Sequence, residues 1–157
     1  LVDVDGAIAH YRGDVFAASW GGKVGAWSAV RGRKLWKADV KSVTGVAADL
    51  RRVYVTDNDN ALHALDSGSG RILWKRDDLV LEDEDDRSVV ATTVVMGRPL
   101  VLDNKGRLYL YERATGDLDF AANLPGSYAA APSIDESQIL TLSRSGSLNF
   151  WQLDETE

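Results

Sequence analysis

At 157 residues the chain is long enough for one domain with a sizeable core, and 45% hydrophobic with 27% charged residues is the balance of a folded, soluble protein. A formal net charge of −6 argues against a nucleic-acid surface, which needs a basic patch, and against attraction to anionic lipid headgroups. The absence of cysteine excludes disulfides, thiolate metal sites and cysteine nucleophiles.

No apolar run approaches the roughly 20 residues that span a bilayer. The sequence starts at Leu1 without an initiator Met or a signal peptide, which reads as a piece or a processed form of a longer protein.

Residues 1–11 alternate, with Val2 and Val4 on one face and Asp3 and Asp5 on the other, as in a strand. Arg12-Gly13-Asp14 follows. It is a tripeptide that some adhesion receptors read, but Gly and Asp between two strands predict a turn. Residues 15–19, 23–28 and 34–38 are three further strands, separated by turns at Gly21-Gly22 and Arg31-Gly32. Four short antiparallel strands make one sheet.

The pattern then restarts. Strands are predicted over 43–48, 52–56, 61–66 and 71–75, with Asp57-Asn58-Asp59-Asn60 as the hairpin turn. Trp74 stands 38 residues after Trp36, and Ala64 and Gly70 follow Ala26 and Gly32 by the same step. An acidic run, Glu82 to Asp86, interrupts the repeat. A third copy takes strands at 88–95, 100–103, 107–112 and 117–121, with Gly116 and Phe120 lying 46 residues beyond Gly70 and Trp74. A fourth takes 129–134, 138–143 and 147–153, and its outermost strand is missing.

Repeats of about 40 residues carrying four strands predict an all-β chain: a β-propeller fragment of about four four-stranded antiparallel blades, over residues 1–40, 41–81, 87–124 and 126–157. No stretch has helical periodicity over the ten or more residues that a helix needs.

The repeated residues form a blade motif: Ala26, Gly32 and Trp36, then Ala64, Asp66, Gly70 and Trp74, then Gly116 and Phe120. Glycine closes the turn because it accepts positive φ. Asp66 can accept hydrogen bonds from the turn's own amides. The small Ala leaves room where sheets pack, and the Trp fills the wedge between neighbouring blades. With Phe120 for Trp and Glu112 for Asp, the third copy is expected to be the looser one.

The string Ala-x-Asp-x-x-Ser-Gly-x-x-x-Trp at residues 64–74 resembles the tryptophan-docking motif of pyrroloquinoline-quinone-type propellers. Two branches share it: the quinoprotein dehydrogenases, and the BamB family of lipoprotein subunits in the machinery that assembles outer-membrane β-barrels. Leu1-Val2-Asp3-Val4-Asp5, Val53 to Asp59 and Ile72 to Arg76 resemble the C-terminal half of BamB proteins. That resemblance implies half of an eight-bladed propeller, no catalysis and no cofactor. It also implies a scaffold docked on the periplasmic POTRA domains of the barrel-inserting subunit, with unfolded outer-membrane proteins as further partners. It places the protein at the periplasmic face of the outer membrane, held by an upstream lipid anchor. The family's paired aspartates map onto Asp3 and Asp5, and its other contact residues lie upstream of this chain. The acidic insertion at Glu82 to Asp86 departs from the family pattern. The quinoprotein branch commonly stacks a vicinal disulfide on its quinone, and this sequence has no cysteine to do so.

Asp3 and Asp5, two apart on one strand face, hold carboxylates about 7 Å apart, a spacing suited to gripping a partner's Arg or Lys. Their bland alternative is a solvated strand face. Asp57-Asn58-Asp59-Asn60 starts like a calcium loop, but Leu62 occupies its glycine position and Gly68 its twelfth, so a hairpin turn is the better reading. The acidic run reads as a solvated loop. His10 and His63 are isolated, without the donors a metal site needs. Neither a phosphate loop nor a nucleophile elbow occurs.

Overall fold

A computed structural model describes residues 6–19, 21–42, 44–49, 51–77 and 87–154. The chain divides into two compact units, Leu1–Glu84 and Asp85–Glu157. All regular structure among the described residues is antiparallel sheet.

The first unit holds two four-stranded sheets. One is built from β1 (Ala9–Tyr11), β2 (Asp14–Ser19), β3 (Lys23–Ser28) and β4 (Lys34–Ala38), and the other from β5 (Ala47–Asp49), β6 (Arg52–Thr56), β7 (Leu62–Asp66) and β8 (Ile72–Arg76). Within each, the strands follow chain order, so every neighbour is joined by a hairpin. Arg12-Gly13 turns with φ of 49° and 85°, the left-handed geometry of a tight reversal.

Alternation decides which face is buried. Phe16 and Ala18 on β2, Val24 and Ala26 on β3 and Trp36 on β4 share one face of the first sheet, and they pack against Val53, Val55 and Leu65 of the second. The sheets are also tied where they begin. Ala7 bridges Gly45, and the Ala7 carbonyl accepts the N–H of Val46 at 3.0 Å.

The second unit contains β9 (Val89–Val95), β10 (Arg98–Asp103), β11 (Arg107–Tyr111) and β12 (Leu118–Asn123) as one sheet. β13 (Ser133–Asp135), β14 (Gln138–Leu142) and β15 (Leu148–Gln152) form a three-stranded sheet. Leu100, Leu102, Leu108 and Leu110 of the former share a core with Ile139 and Tyr128, and Trp151 packs against that core.

The inner strands are shorter than the sequence suggests. β5 starts at Ala47 rather than 43, and β13 at Ser133 rather than 129. The residues ahead of them lie against neighbours through single bridges, Ala7 to Gly45 and Tyr128 to Ser143, instead of a continuous ladder. Among the described residues, four antiparallel sheets of four, four, four and three strands, each in chain order, are the blades of a β-propeller.

Candidate functional site

The blade motif assembles around Trp36. Its ring lies across the strand from Ala26, which is fully buried beneath it, and tilts against Phe16 at 6.0 Å between centroids. The indole N–H donates to the carbonyl of Ser67 at 2.6 Å, in the turn between the last two strands of the next sheet. There the ring meets Gly70, whose φ is 73° and whose missing Cβ would sit 2.7 Å from Cδ2 of the indole. Glycine is therefore required at position 70 twice over, by conformation and by contact. The second sheet repeats the intra-sheet part: Trp74 faces Ala64 across the strand and Tyr54 at 6.0 Å.

The turns are fastened by side chains. Asp66 Oδ1 accepts the backbone N–H and the hydroxyl of Ser69, at 2.9 and 2.7 Å, and Gly70 N–H closes onto the Asp66 carbonyl at 2.8 Å. The Ser69 hydroxyl holds the Asp66 carboxyl below its ordinary range, against a smaller opposing effect of desolvation. Ser28 Oγ accepts Arg31 N–H and Glu112 Oε1 accepts Ala114 N–H in the corresponding turns. Phe120 faces Leu110 and is 48% exposed, whereas Trp36 is 8% exposed.

A second device sits at the opposite hairpins. Asp57 Oδ1 accepts the N–H groups of Asp59 and Ala61 at 3.0 and 2.9 Å, while Oδ2 meets Nε2 of His63 at 2.7 Å. Asp103 does the same with Lys105 and Arg107 at 3.0 and 2.7 Å, and its Oδ2 accepts from Arg87 Nη1 at 2.9 Å. Ser143 Oγ takes the N–H of Ser147 at 3.0 Å. One acceptor at the end of the second strand thus caps the turn in each case.

At Asp57-Asn58-Asp59-Asn60 the structure has a hairpin turn, with the Asp57 carboxylate accepting from its own turn and meeting His63. Among the described residues no group of three His, Asp or Glu side chains is arranged to hold a metal. His63 is buried on its strand; His10 is exposed on β1.

Sequence reasoning missed the Asp57–His63 and Arg87–Asp103 pairs. The available signal, which marks the acceptor and not its partner, was the recurrence of an acidic or hydroxyl residue four or five positions before the next strand's start, at Ser19, Asp57, Asp103 and Ser143. Asp3, Asp5 and the acidic run at Glu82 to Asp86 lie outside the described residues.

Comparison with known proteins agrees with the fold. Residues 1–76 match the family model of the outer membrane protein assembly factor BamB. A protein of Legionella pneumophila (strain Paris) named outer membrane protein assembly factor BamB is 28% identical over 149 residues, covering 95% of this chain and 38% of the relative. One of the same name from Alkalilimnicola ehrlichii is 31% identical over 118 residues, covering 75% of this chain and 30% of the relative. The crystal structure of BamB from Moraxella catarrhalis superposes with a TM-score of 0.86 at 19% identity, covering 98% of this chain and 46% of that one. The chain therefore spans about a third of the length of these two sequence relatives. With its tryptophan-docked sheets and these matches, the chain belongs to the BamB family of PQQ-like β-propellers.

Proposed function

We propose that this chain is part of a non-enzymatic scaffold of the outer-membrane β-barrel assembly machinery. In this reading it works at the periplasmic face of the outer membrane, in a protein held there by a lipid anchor. It docks on the POTRA domains of the barrel-inserting subunit and aids insertion of unfolded outer-membrane proteins. The observation that carries the reading is the match along 95% of the chain to a relative named as an outer membrane protein assembly factor.

The polar chemistry of the described residues supports a scaffold. Asp57, His63, Arg87 and Asp103 are occupied in fastening hairpins to their own sheets. Asp3 and Asp5 are the proposed contact, a pair of carboxylates spaced for a charge-assisted grip on a basic residue. In the protein that carries this chain, Asp3→Arg/Asp5→Arg should abolish co-purification with the POTRA-bearing subunit. Undiminished recovery would sink the assignment. The competing quinoprotein dehydrogenase reading is separated by incubation with the quinone and calcium, since stoichiometric retention of the quinone favours the enzyme.

A further inference from the structure

The net charge of −6 hides an uneven distribution in the first unit. Its two sheets share one end, where four turns are stitched together. The Ala29 N–H donates to the Gly13 carbonyl at 2.8 Å, joining the β1–β2 and β3–β4 turns of the first sheet. The Ser67 N–H donates to the Arg51 carbonyl at 3.0 Å and joins the corresponding turns of the second, while Trp36 ties the two sheets through the Ser67 carbonyl. Every one of these turns carries cations. Arg12 stands in the first and Arg31 and Arg33 in the second, with Lys34 just after it. Arg51 stands in the third, with Arg52 just after it, and Arg71 in the fourth.

All but Arg52 are exposed, and Arg52 is half-buried with its buried Nε–H lacking an acceptor. Carboxylates are fewer at this end: Asp14, Asp49 and Asp66, the last already engaged by Ser69. Among the described residues none of the seven cations forms an ion pair. At the far end of the same sheets the pattern reverses, and Lys23 pairs with Asp39 and Lys75 with Asp77.

We propose that this arginine-rich end of the first unit is a docking surface for an acidic segment of a partner polypeptide. Residue type supports a carboxylate ligand. Six of the seven cations are arginine, whose planar fork takes a carboxylate in two parallel hydrogen bonds, whereas lysine supplies a point charge. The cations are also spread rather than convergent. Strands about 4.8 Å apart in sheets about 10 Å apart make an array roughly 15 Å across, which suits several carboxylates in a row better than a single anion. A lipid surface or a nucleic acid would meet the field of the whole chain, whose net charge of −6 repels it. A short acidic segment touches only the array, and at physiological salt charges more than about 8 Å away are largely screened from it.

Turns keep this end accessible whichever blades flank it. Gly68 and Ser69 are exposed although Trp36 packs on Gly70. Arg31 takes the place of Ser69 in the first sheet, so a tryptophan docked on Gly32 in the same way leaves it exposed.

The test titrates a capped oligoglutamate of about ten residues, long enough at about 3.3 Å per residue to cross the array, into the chain at low salt. Saturable binding is expected, weakening as salt rises. Arg33→Gln/Arg71→Gln should lower the affinity at least tenfold. Lys37→Gln/Lys41→Gln, which removes the same charge near the far end, should leave it unchanged. All four side chains are exposed and none is ion-paired, so the melting curves should coincide. Absence of saturable binding overturns the proposal, as does equal weakening by the two double variants. Preferential binding to phosphatidylglycerol vesicles, lost with Arg33→Gln/Arg71→Gln, also overturns it, by making the surface one for lipid.

Discussion

Trp36 lies against the backbone of Gly70, its indole N–H bonded to the carbonyl of Ser67 three residues earlier. One contact thus links two neighbouring sheets of the first unit. It unites an aromatic at the end of one repeat with the glycine of the next. Gly70→Ala should be more damaging than Gly32→Ala, although both glycines have positive φ, 73° and 63°. Position 32 has open space and loses only the conformational term, about 1–2 kcal/mol. Position 70 adds overpacking against the indole, about 1–3 kcal/mol more. Denaturant melts of the two variants, measured side by side, check the difference.

Emptying the wedge should follow burial. Trp36→Ala is expected to cost about 3–5 kcal/mol, the range for a buried aromatic. Phe120→Ala should cost about 1 kcal/mol, because that ring is half exposed. Equal losses at the two sites would remove the argument that the third sheet's outer strand is the more loosely held.

The two hairpin carboxylates should differ in weight. Asp57→Ala strips two amides and the buried His63 of their acceptor, with an expected cost of about 1–3 kcal/mol. Asp103→Ala also leaves the largely buried Arg87 guanidinium without this partner, and about 3–5 kcal/mol is expected. Ser143→Ala should fall near 1 kcal/mol, the worth of an ordinary hydrogen bond. Chemical denaturation of the three variants gives the order.

Alkaline pH should weaken the second unit through Tyr109. Burial pushes this phenol above its ordinary value of 10.0, with the Asp103 carboxylate adding to the shift and Arg107 and Arg87 opposing it. A folded-state value above the unfolded one gives a stabilisation that is complete below the unfolded value and lost as pH rises through the folded one. The parent should therefore lose stability above about pH 10 more steeply than Tyr109→Phe, measured as melting temperature against pH.

The repeat made most of this fold legible. The spacing of Ala26, Gly32 and Trp36 against Ala64, Gly70 and Trp74 identifies strand order and sheet count, because a recurring unit must bury its faces against copies of itself. Strand starts were less legible. Val46 and Ala129 continue an apolar pattern, yet apolar residues also line irregular chain that lies along a sheet, as beside the Ala7–Gly45 bridge. Polar roles were the least legible. Asp57 stands in what already reads as a hairpin turn, but only the fold shows its carboxylate turned back onto that hairpin and onto His63 across it. A partner on the other strand of a hairpin leaves no local spacing signature.

The docking role is tested most directly by titrating the purified POTRA domains into the protein that carries this chain, as parent and as Asp3→Arg/Asp5→Arg. Saturable binding by the parent is predicted, with affinity at least tenfold lower in the charge-reversed variant and melting curves that coincide. Equal affinities for the two proteins would contradict the assignment of Asp3 and Asp5, and no binding by the parent would contradict the scaffold itself.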